Sequence, residues 1–165
     1  AYTGGATCAA SYAGAEEVCH VDASKGMVAW AKENAELSGL SNNKIRYIVD
    51  DCFKFVQREI RRGNKYDAVI MDPPSYGRGP NGEIWKFEEE LTKLLKLTSQ
   101  VLSDEPLFLL LNSYTTGLSP TAIENMLKLI IVKDKQGSVS SGEIGLPVKR
   151  EDLILPCGIY GRWEK

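Results

Sequence analysis

The sequence predicts an α/β chain: a doubly wound, largely parallel sheet with an antiparallel strand pair at its C-terminal end. Apolar runs of strand length alternate with stretches of helical periodicity from the first glycines to about residue 132. After that the chain carries two strand-like stretches joined by a polar turn. No Pro/Gly-rich linker, repeat or low-complexity tract divides the 165 residues, so one domain over 1–165 is expected.

Each element has its own signal. Gly4-Gly5 lead into a helix of small residues over 6–13. Val18-Cys19-His20-Val21 reads as a strand. Ser24 is placed to cap a helix whose Val28, Ala31 and Ala35 share a face, with Gly39 near its end. A strand over 45–49 follows, then a helix with Phe53, Val56 and Ile60 opposite Lys54, Arg58, Arg61 and Arg62. The runs 68–71 and 107–111 are almost continuously apolar, which suits strands buried on both faces. Between them Leu91, Leu94, Leu95, Thr98, Val101 and Leu102 fall on one helical face. Ser119 as cap and Pro120 at the first helical position open a further helix carrying Ile123, Met126, Leu127, Ile130 and Ile131. The closing stretches, 138–148 and 153–163, flank Lys149-Arg150-Glu151-Asp152 as an antiparallel pair.

Composition narrows the class. With 20 basic and 22 acidic side chains the net charge is −2, which excludes a generally basic nucleic-acid binder but not a local basic patch. A 43% hydrophobic content supports a core. No apolar stretch reaches the ~18 residues of a membrane span, and no signal-peptide pattern is present. Cys8, Cys19, Cys52 and Cys157 show neither zinc-site spacing nor disulfide-scaffold density, so they read as reduced thiols of a cytoplasmic protein with no metal site. His20, the only histidine, lies within a strand and reads as structural.

Ligands of open parallel sheets bind beyond the carboxyl ends of the strands. The residues expected there are Tyr2-Thr3-Gly4-Gly5, Asp22, Asp50-Asp51, Asp72-Pro73-Pro74 and Asn112-Ser113. The glycines allow a tight turn and close backbone approach, although they do not form G-x-G-x-x-G and are also compatible with a plain turn. Asp22 suits the two hydroxyls of a ribose, or a helix-capping role ahead of Ser24. Asp51 suits an adenine amino group or, equally, the cap of the next helix. Two prolines after a strand end hold a rigid loop with free carbonyls beside the Asp72 carboxylate, a place to accept hydrogen bonds from a planar amine. Residues 77–82 then read as a flexible glycine-rich segment leading to Trp85-Lys86-Phe87. Arg78 and Trp85 are its candidates for clamping a base, with packing on the next helix as the alternative for Trp85. The basic helix face suits phosphate contacts or simple solvation.

Ala1-Tyr2-Thr3-Gly4-Gly5-Ala6, His20-Val21-Asp22-Ala23-Ser24-Lys25, Tyr66-Asp67 leading to Asp72-Pro73-Pro74-Ser75-Tyr76-Gly77, and Leu155-Pro156-Cys157-Gly158 with Arg162-Trp163 form an ordered set. In this set the chain resembles the class I S-adenosylmethionine-dependent methyltransferases. More narrowly it resembles the branch related to bacterial 23S ribosomal RNA large-subunit enzymes. The resemblance implies a Rossmann-like methyltransferase sheet and S-adenosyl-L-methionine as cofactor. Its methionine end would lie at Tyr2, Thr3, Gly4 and Gly5, its ribose on Asp22, its adenine near Ala23, Asp51 and Cys52, and its methyl group past Asp72. Ribosomal RNA is the implied partner, with Ser75, Tyr76, Arg78, Trp85 and Asn112 toward the substrate and Asp72, Pro73 and Pro74 at the chemistry. Enzymes that methylate cytosine carbon 5 carry a cysteine in the loops after the fourth or fifth strand; here those loops have none, which favours a nitrogen acceptor. Ser75 stands where amine methyltransferases have an aromatic, and Tyr76 comes one place late. The family's first strand, which should precede Tyr2, is missing, so an N-terminally trimmed catalytic domain is expected. Rival readings are a nicotinamide-dependent oxidoreductase, a methyltransferase of a small molecule or protein amine, and a non-catalytic cofactor-binding module.

Overall fold

The computed structural model describes residues 1–78 and 84–165. The chain divides into two compact units, Ala1–Arg58 and Glu59–Lys165.

In the first unit, helix α1 (Gly5–Tyr12) is followed by strand β1 (Val18–Asp22), helix α2 (Lys25–Leu37) and strand β2 (Ile45–Val49), and helix α3 (Cys52–Arg62) begins. β1 and β2 pair in parallel, from Val18 opposite Ile45 to Asp22 opposite Val49. Ser24 caps α2 as expected, its Oγ accepting the Met27 amide at 3.4 Å. Val28, Ala31 and Ala35 form the buried face of α2, and Gly39 leaves the helix at φ +75°. His20 is buried at the centre of β1. Its Nδ1 lies 2.8 Å from Thr7 Oγ1 of α1, and its ring is tilted against Tyr47 at 5.9 Å. Nε2 has no hydrogen-bond partner among the described residues. The tautomer with Nδ1 protonated and a bare lone pair on Nε2 costs least, because a buried acceptor without a partner is more readily borne than a buried donor. Burial holds the imidazole below its ordinary pKa.

The second unit holds strand β3 (Ala68–Met71), the hairpin β4 (Tyr76–Arg78) and β5 (Ile84–Lys86), helix α4 (Phe87–Thr98), strand β6 (Phe108–Ser113), helix α5 (Pro120–Leu127) and the long hairpin β7 (Ser138–Pro147) and β8 (Ile154–Glu164). Its main sheet has the order β3-β6-β8-β7. β3 and β6 are parallel, while β8 runs antiparallel to both β6 and β7, as the sequence predicts for the tail. Ser119 caps α5 ahead of Pro120. α5 lies on β8 where Gly161 leaves room: a Cβ there would stand 2.2 Å from Ile123 Cγ2. Trp163 is fully buried and its Nε1 donates to the Gln136 carbonyl at 2.6 Å.

Three expectations need correction. β6 alternates, with Leu109, Leu111 and Ser113 buried and Phe108, Leu110 and Asn112 half-buried, so one face of this strand is only partly covered. The stretch from Gly77 is not irregular throughout: Gly77 pairs with Trp85 and Arg78 with Ile84 in an antiparallel hairpin. On α3 the most deeply buried positions are Phe55 and Glu59, while the expected face of Phe53, Val56 and Ile60 is half-buried. Glu59 is tolerated there because Arg62 Nη1 (3.2 Å), Asn64 Nδ2 (2.8 Å) and the Tyr66 hydroxyl (2.6 Å) all donate to its carboxylate. No helix of the described residues is long and apolar enough to cross a membrane.

Glu59→Ala should destabilise the fold by about 3–5 kcal/mol, because it removes at once three hydrogen bonds to a charged acceptor. Tyr66→Phe should cost less, about 1–3 kcal/mol, in the same urea titration. His20 predicts a pH effect. Its folded pKa lies below the ordinary 6.5, so the unfolded chain binds the extra proton. The contribution is complete above about pH 7.5 and is lost as pH falls through about 6.5. Because the chain has one histidine, His20→Gln should flatten the melting temperature between about pH 7.5 and 5.5. An unchanged slope would place the effect on another group.

Candidate functional site

In the first unit the loop before α1 is held from three sides. Tyr2 takes φ +52° and Gly4 takes φ +86°, left-handed values that a side chain resists. Gly4 is doubly constrained, since a Cβ there would meet the Ala31 Cβ of α2 at 2.8 Å. Gly5 opens α1 and has nothing within 4 Å of its Cβ position. The Asp22 carboxylate holds the loop in place: Oδ2 accepts from the Ala1 nitrogen and the Tyr2 amide, each at 2.8 Å. Its Oδ1 accepts the Ser24 amide at 2.8 Å. Asn34, which the sequence reading missed, donates from Nδ2 to the Thr3 carbonyl at 2.9 Å. Burial pushes the Asp22 pKa up, but the donated hydrogen bonds outweigh it and hold the carboxyl below its ordinary value. Ser24 is the cap of α2, so Asp22 is not needed for that role.

The ends of β1 and β2 bring Asp22 beside the next acidic pair, with the Asp50 amide donating to the Asp22 carbonyl at 3.0 Å. Asp50 forms an ion pair with Arg58. Asp51 caps α3, its Oδ1 accepting the Lys54 amide at 2.9 Å, which leaves Oδ2 for other donors. Ala23 and Cys52 are exposed at these ends. Two of the four basic residues of α3 are therefore committed: Arg58 to Asp50, and Arg62 to Glu59.

In the second unit Asp72-Pro73-Pro74-Ser75 leaves the end of β3 and is tied by side chains from elsewhere. Trp85 Nε1 donates to the Pro74 carbonyl at 2.5 Å, so that carbonyl is not free and the indole acts as a strut. Thr115 Oγ1 donates to Ser75 Oγ at 3.0 Å, and the Phe87 amide donates to the Ser75 carbonyl at 3.1 Å. The Tyr114 side chain lies close enough to the Asp72 carboxylate for each to influence the other's ionisation. Desolvation raises the Asp72 pKa, and the nearby Tyr114 hydroxyl works against the rise. Tyr114 fits because Gly158 faces it without a side chain: a Cβ there would stand 2.8 Å from the ring and 2.6 Å from the Ser113 carbonyl oxygen.

Asn112 is not in the loop after β6. It lies within that strand, opposite Tyr160, because the strand continues to Ser113. Tyr76 opens β4 and is exposed. The Arg78 side chain and residues 79–83 of the expected clamp lie outside the described residues. Tyr114 and Thr115 carried no sequence signal beyond following an apolar run. Two surface cavities of about 450 and 400 Å³, one in each unit, are lined by none of the predicted site residues.

A family profile for S-adenosylmethionine-dependent methyltransferases matches residues 1–102. Ribosomal RNA large subunit methyltransferase I of Aeromonas hydrophila is 37% identical over 75 residues, which cover 46% of this chain and 19% of that protein. Ribosomal RNA large subunit methyltransferase K/L of Shewanella frigidimarina is 33% identical over 104 residues, covering 62% of this chain and 14% of that protein. The chain thus spans a fifth or less of the length of these curated relatives. Among solved structures, the SAM-dependent methyltransferase from Agrobacterium tumefaciens superposes with a TM-score of 0.91 at 39% identity, covering 99% of this chain and 53% of that one. This likeness establishes the Rossmann-like α/β methyltransferase fold with its antiparallel C-terminal strands. The chain belongs to the S-adenosylmethionine-dependent methyltransferase family, whose cofactor is S-adenosyl-L-methionine.

Proposed function

We propose that residues 1–165 are the catalytic domain of a methyltransferase that modifies a base nitrogen of ribosomal RNA. The observation that carries the reading is the Asp22 carboxylate at the end of β1, which gathers the amides of Tyr2 and Ser24 and so shapes the loop at Gly4. A left-handed turn at Gly4, packed closely on Ala31 and next to an ionised strand-end acid, suits the cofactor. Tyr2, Thr3, Gly4 and Gly5 would hold its amino-acid end, Asp22 its ribose, and Ala23, Asp51 and Cys52 its adenine. Bound there, the cofactor supplies a methyl group activated on a sulfonium.

The chain's own residues would then hold and deprotonate the acceptor. Asp72 would accept a hydrogen of the acceptor amine, with the Pro73 carbonyl as a second acceptor. Once the new N–C bond forms, the proton it makes acidic passes to Asp72. Trp85 and Thr115 keep the Asp-Pro-Pro-Ser loop rigid, so that positioning supplies most of the rate. Ser75, Tyr76, Arg78 and Asn112 stand as further substrate-side candidates. The base of a ribosomal RNA as substrate rests on the names of the relatives. A second reading, a carbon acceptor, has one observation in its favour: Cys157 directly precedes Gly158, which packs against the Tyr114 ring. Methylation that survives Cys157→Ala supports the nitrogen acceptor; complete loss supports a covalent carbon route.

S-adenosylhomocysteine at about 100 times its dissociation constant should stabilise the chain by about 2.7 kcal/mol in thermal unfolding, and Asp22→Ala should remove most of that shift. An equal shift in the variant would move the ribose elsewhere. For the acceptor end, Tyr114→Phe removes the hydroxyl that opposes the rise of the Asp72 pKa. Asp72 works ionised, so the rate falls as pH drops through its pKa, and that acid limb should move to higher pH in the variant. A limb that stays in place would argue against Asp72 as the proton acceptor. Transfer of labelled methyl groups to large-subunit ribosomal RNA, followed by nucleoside analysis, tests the substrate.

A further inference from the structure

The end of the β7–β8 hairpin carries an unassigned surface. Residues 145–156 are all exposed. Leu146 and Leu155 are directly opposed, and the Val148 amide donates to the Leu153 carbonyl at 3.0 Å. Residues two apart on a strand share a face. Leu146, Val148, Leu153 and Leu155 therefore make one aliphatic face, each 40–59% exposed. Such a contiguous apolar face at the tip of a projecting hairpin marks an interaction surface.

The turn indicates the occupant. Lys149 and Arg150 lie on the β7 side, and Glu151 and Asp152 on the β8 side. Among the described residues none of these four forms an ion pair. The tip is thus charge-balanced, with its two signs on opposite sides. Nucleic acid fits poorly: the face offers neither stacking rings nor an excess of positive charge. A second copy of the chain fits well. A two-fold axis along the hairpin, with the aliphatic faces in contact, lays β7 of one copy over β8 of the other. Leu146 then meets the second copy's Leu155, Val148 meets its Leu153, and the basic side of each turn meets the acidic side of the other. Self-complementarity of this kind is what an isologous contact requires.

We propose that this hairpin tip is a homodimer interface, built from the aliphatic face and closed by the reciprocal charges of the turn. Twelve exposed residues are fewer than the about 20–30 per side of a standard interface, so the dimer forms reversibly as concentration rises.

Sedimentation velocity of the full chain from about 1 to 200 µM should show the mass doubling as concentration increases. Leu155→Asp should give a monomer throughout, with unchanged thermal unfolding because the side chain is exposed. Lys149→Glu with Arg150→Glu makes every tip acidic and should weaken dimerisation at least tenfold. Adding Glu151→Lys and Asp152→Lys exchanges the signs and should restore it. If Leu155→Asp disturbs folding, the charge variants decide. A wild-type monomer at the highest concentration would assign the face to a different partner and overturn the proposal. A dimer that survives the charge reversal, or is not rescued by the exchange, would do the same.

Discussion

The second unit depends on a buried negative charge. A carboxylate removed from water is costly unless its oxygens are saturated with donors, and Glu59 meets that condition only when the end of α3 and the entry to β3 take one arrangement. Arg62 and Asn64 fix the helix end, and Tyr66 fixes the first residues leading to β3. From there the backbone has little freedom. The Tyr66 amide donates to the Val101 carbonyl and the Ser103 amide to the Tyr66 carbonyl, so the same residue joins the end of the α4 region to the sheet. The register of β3 against β6 follows, and with it the point at which Asp72 leaves the sheet. The carboxylate thus sets the position of a loop it never touches.

The first unit uses a carboxylate differently. Despite its burial, Asp22 is held below its ordinary pKa because the Ala1 nitrogen and the amides of Ser24 and Tyr2 donate to it, and these donors belong to the segments before α1 and α2. One side chain thereby shapes the approaches to two helices. Gly4 completes the arrangement by subtraction, since any side chain there would push against Ala31. A dense loop of this kind is ordered before a ligand arrives, which lowers the entropy cost of binding.

Much of this was legible in the sequence, and where it failed the reason is physical. The caps at Ser24 and Ser119, the exit at Gly39 and the closing hairpin are local patterns, and they hold because their partners lie within a turn. Asp22 and the Asp-Pro-Pro loop stand at strand ends, as expected, because strand ends are predictable places. Long-range partners were not. Nothing near Trp85 indicates that its indole spans to Pro74, and nothing in Asn112-Ser113-Tyr114 separates the strand residue from the one that reaches Asp72. Glu59 was hidden for a related reason: an acid among basic residues reads as solvent-facing until its three donors are assembled.

The strut from Trp85 gives the molecule an internal optical probe. The three indoles sit in different surroundings: Trp163 is sealed, Trp30 is half open to solvent, and Trp85 is bonded to the Pro74 carbonyl. Indole emission responds to the polarity and hydrogen bonding around its nitrogen. With Trp30 and Trp163 replaced by phenylalanine, the remaining emission would report on the Asp-Pro-Pro loop. Any event that draws the Pro74 carbonyl away would appear as a change of colour and lifetime, and the loop could be followed in real time without an attached dye.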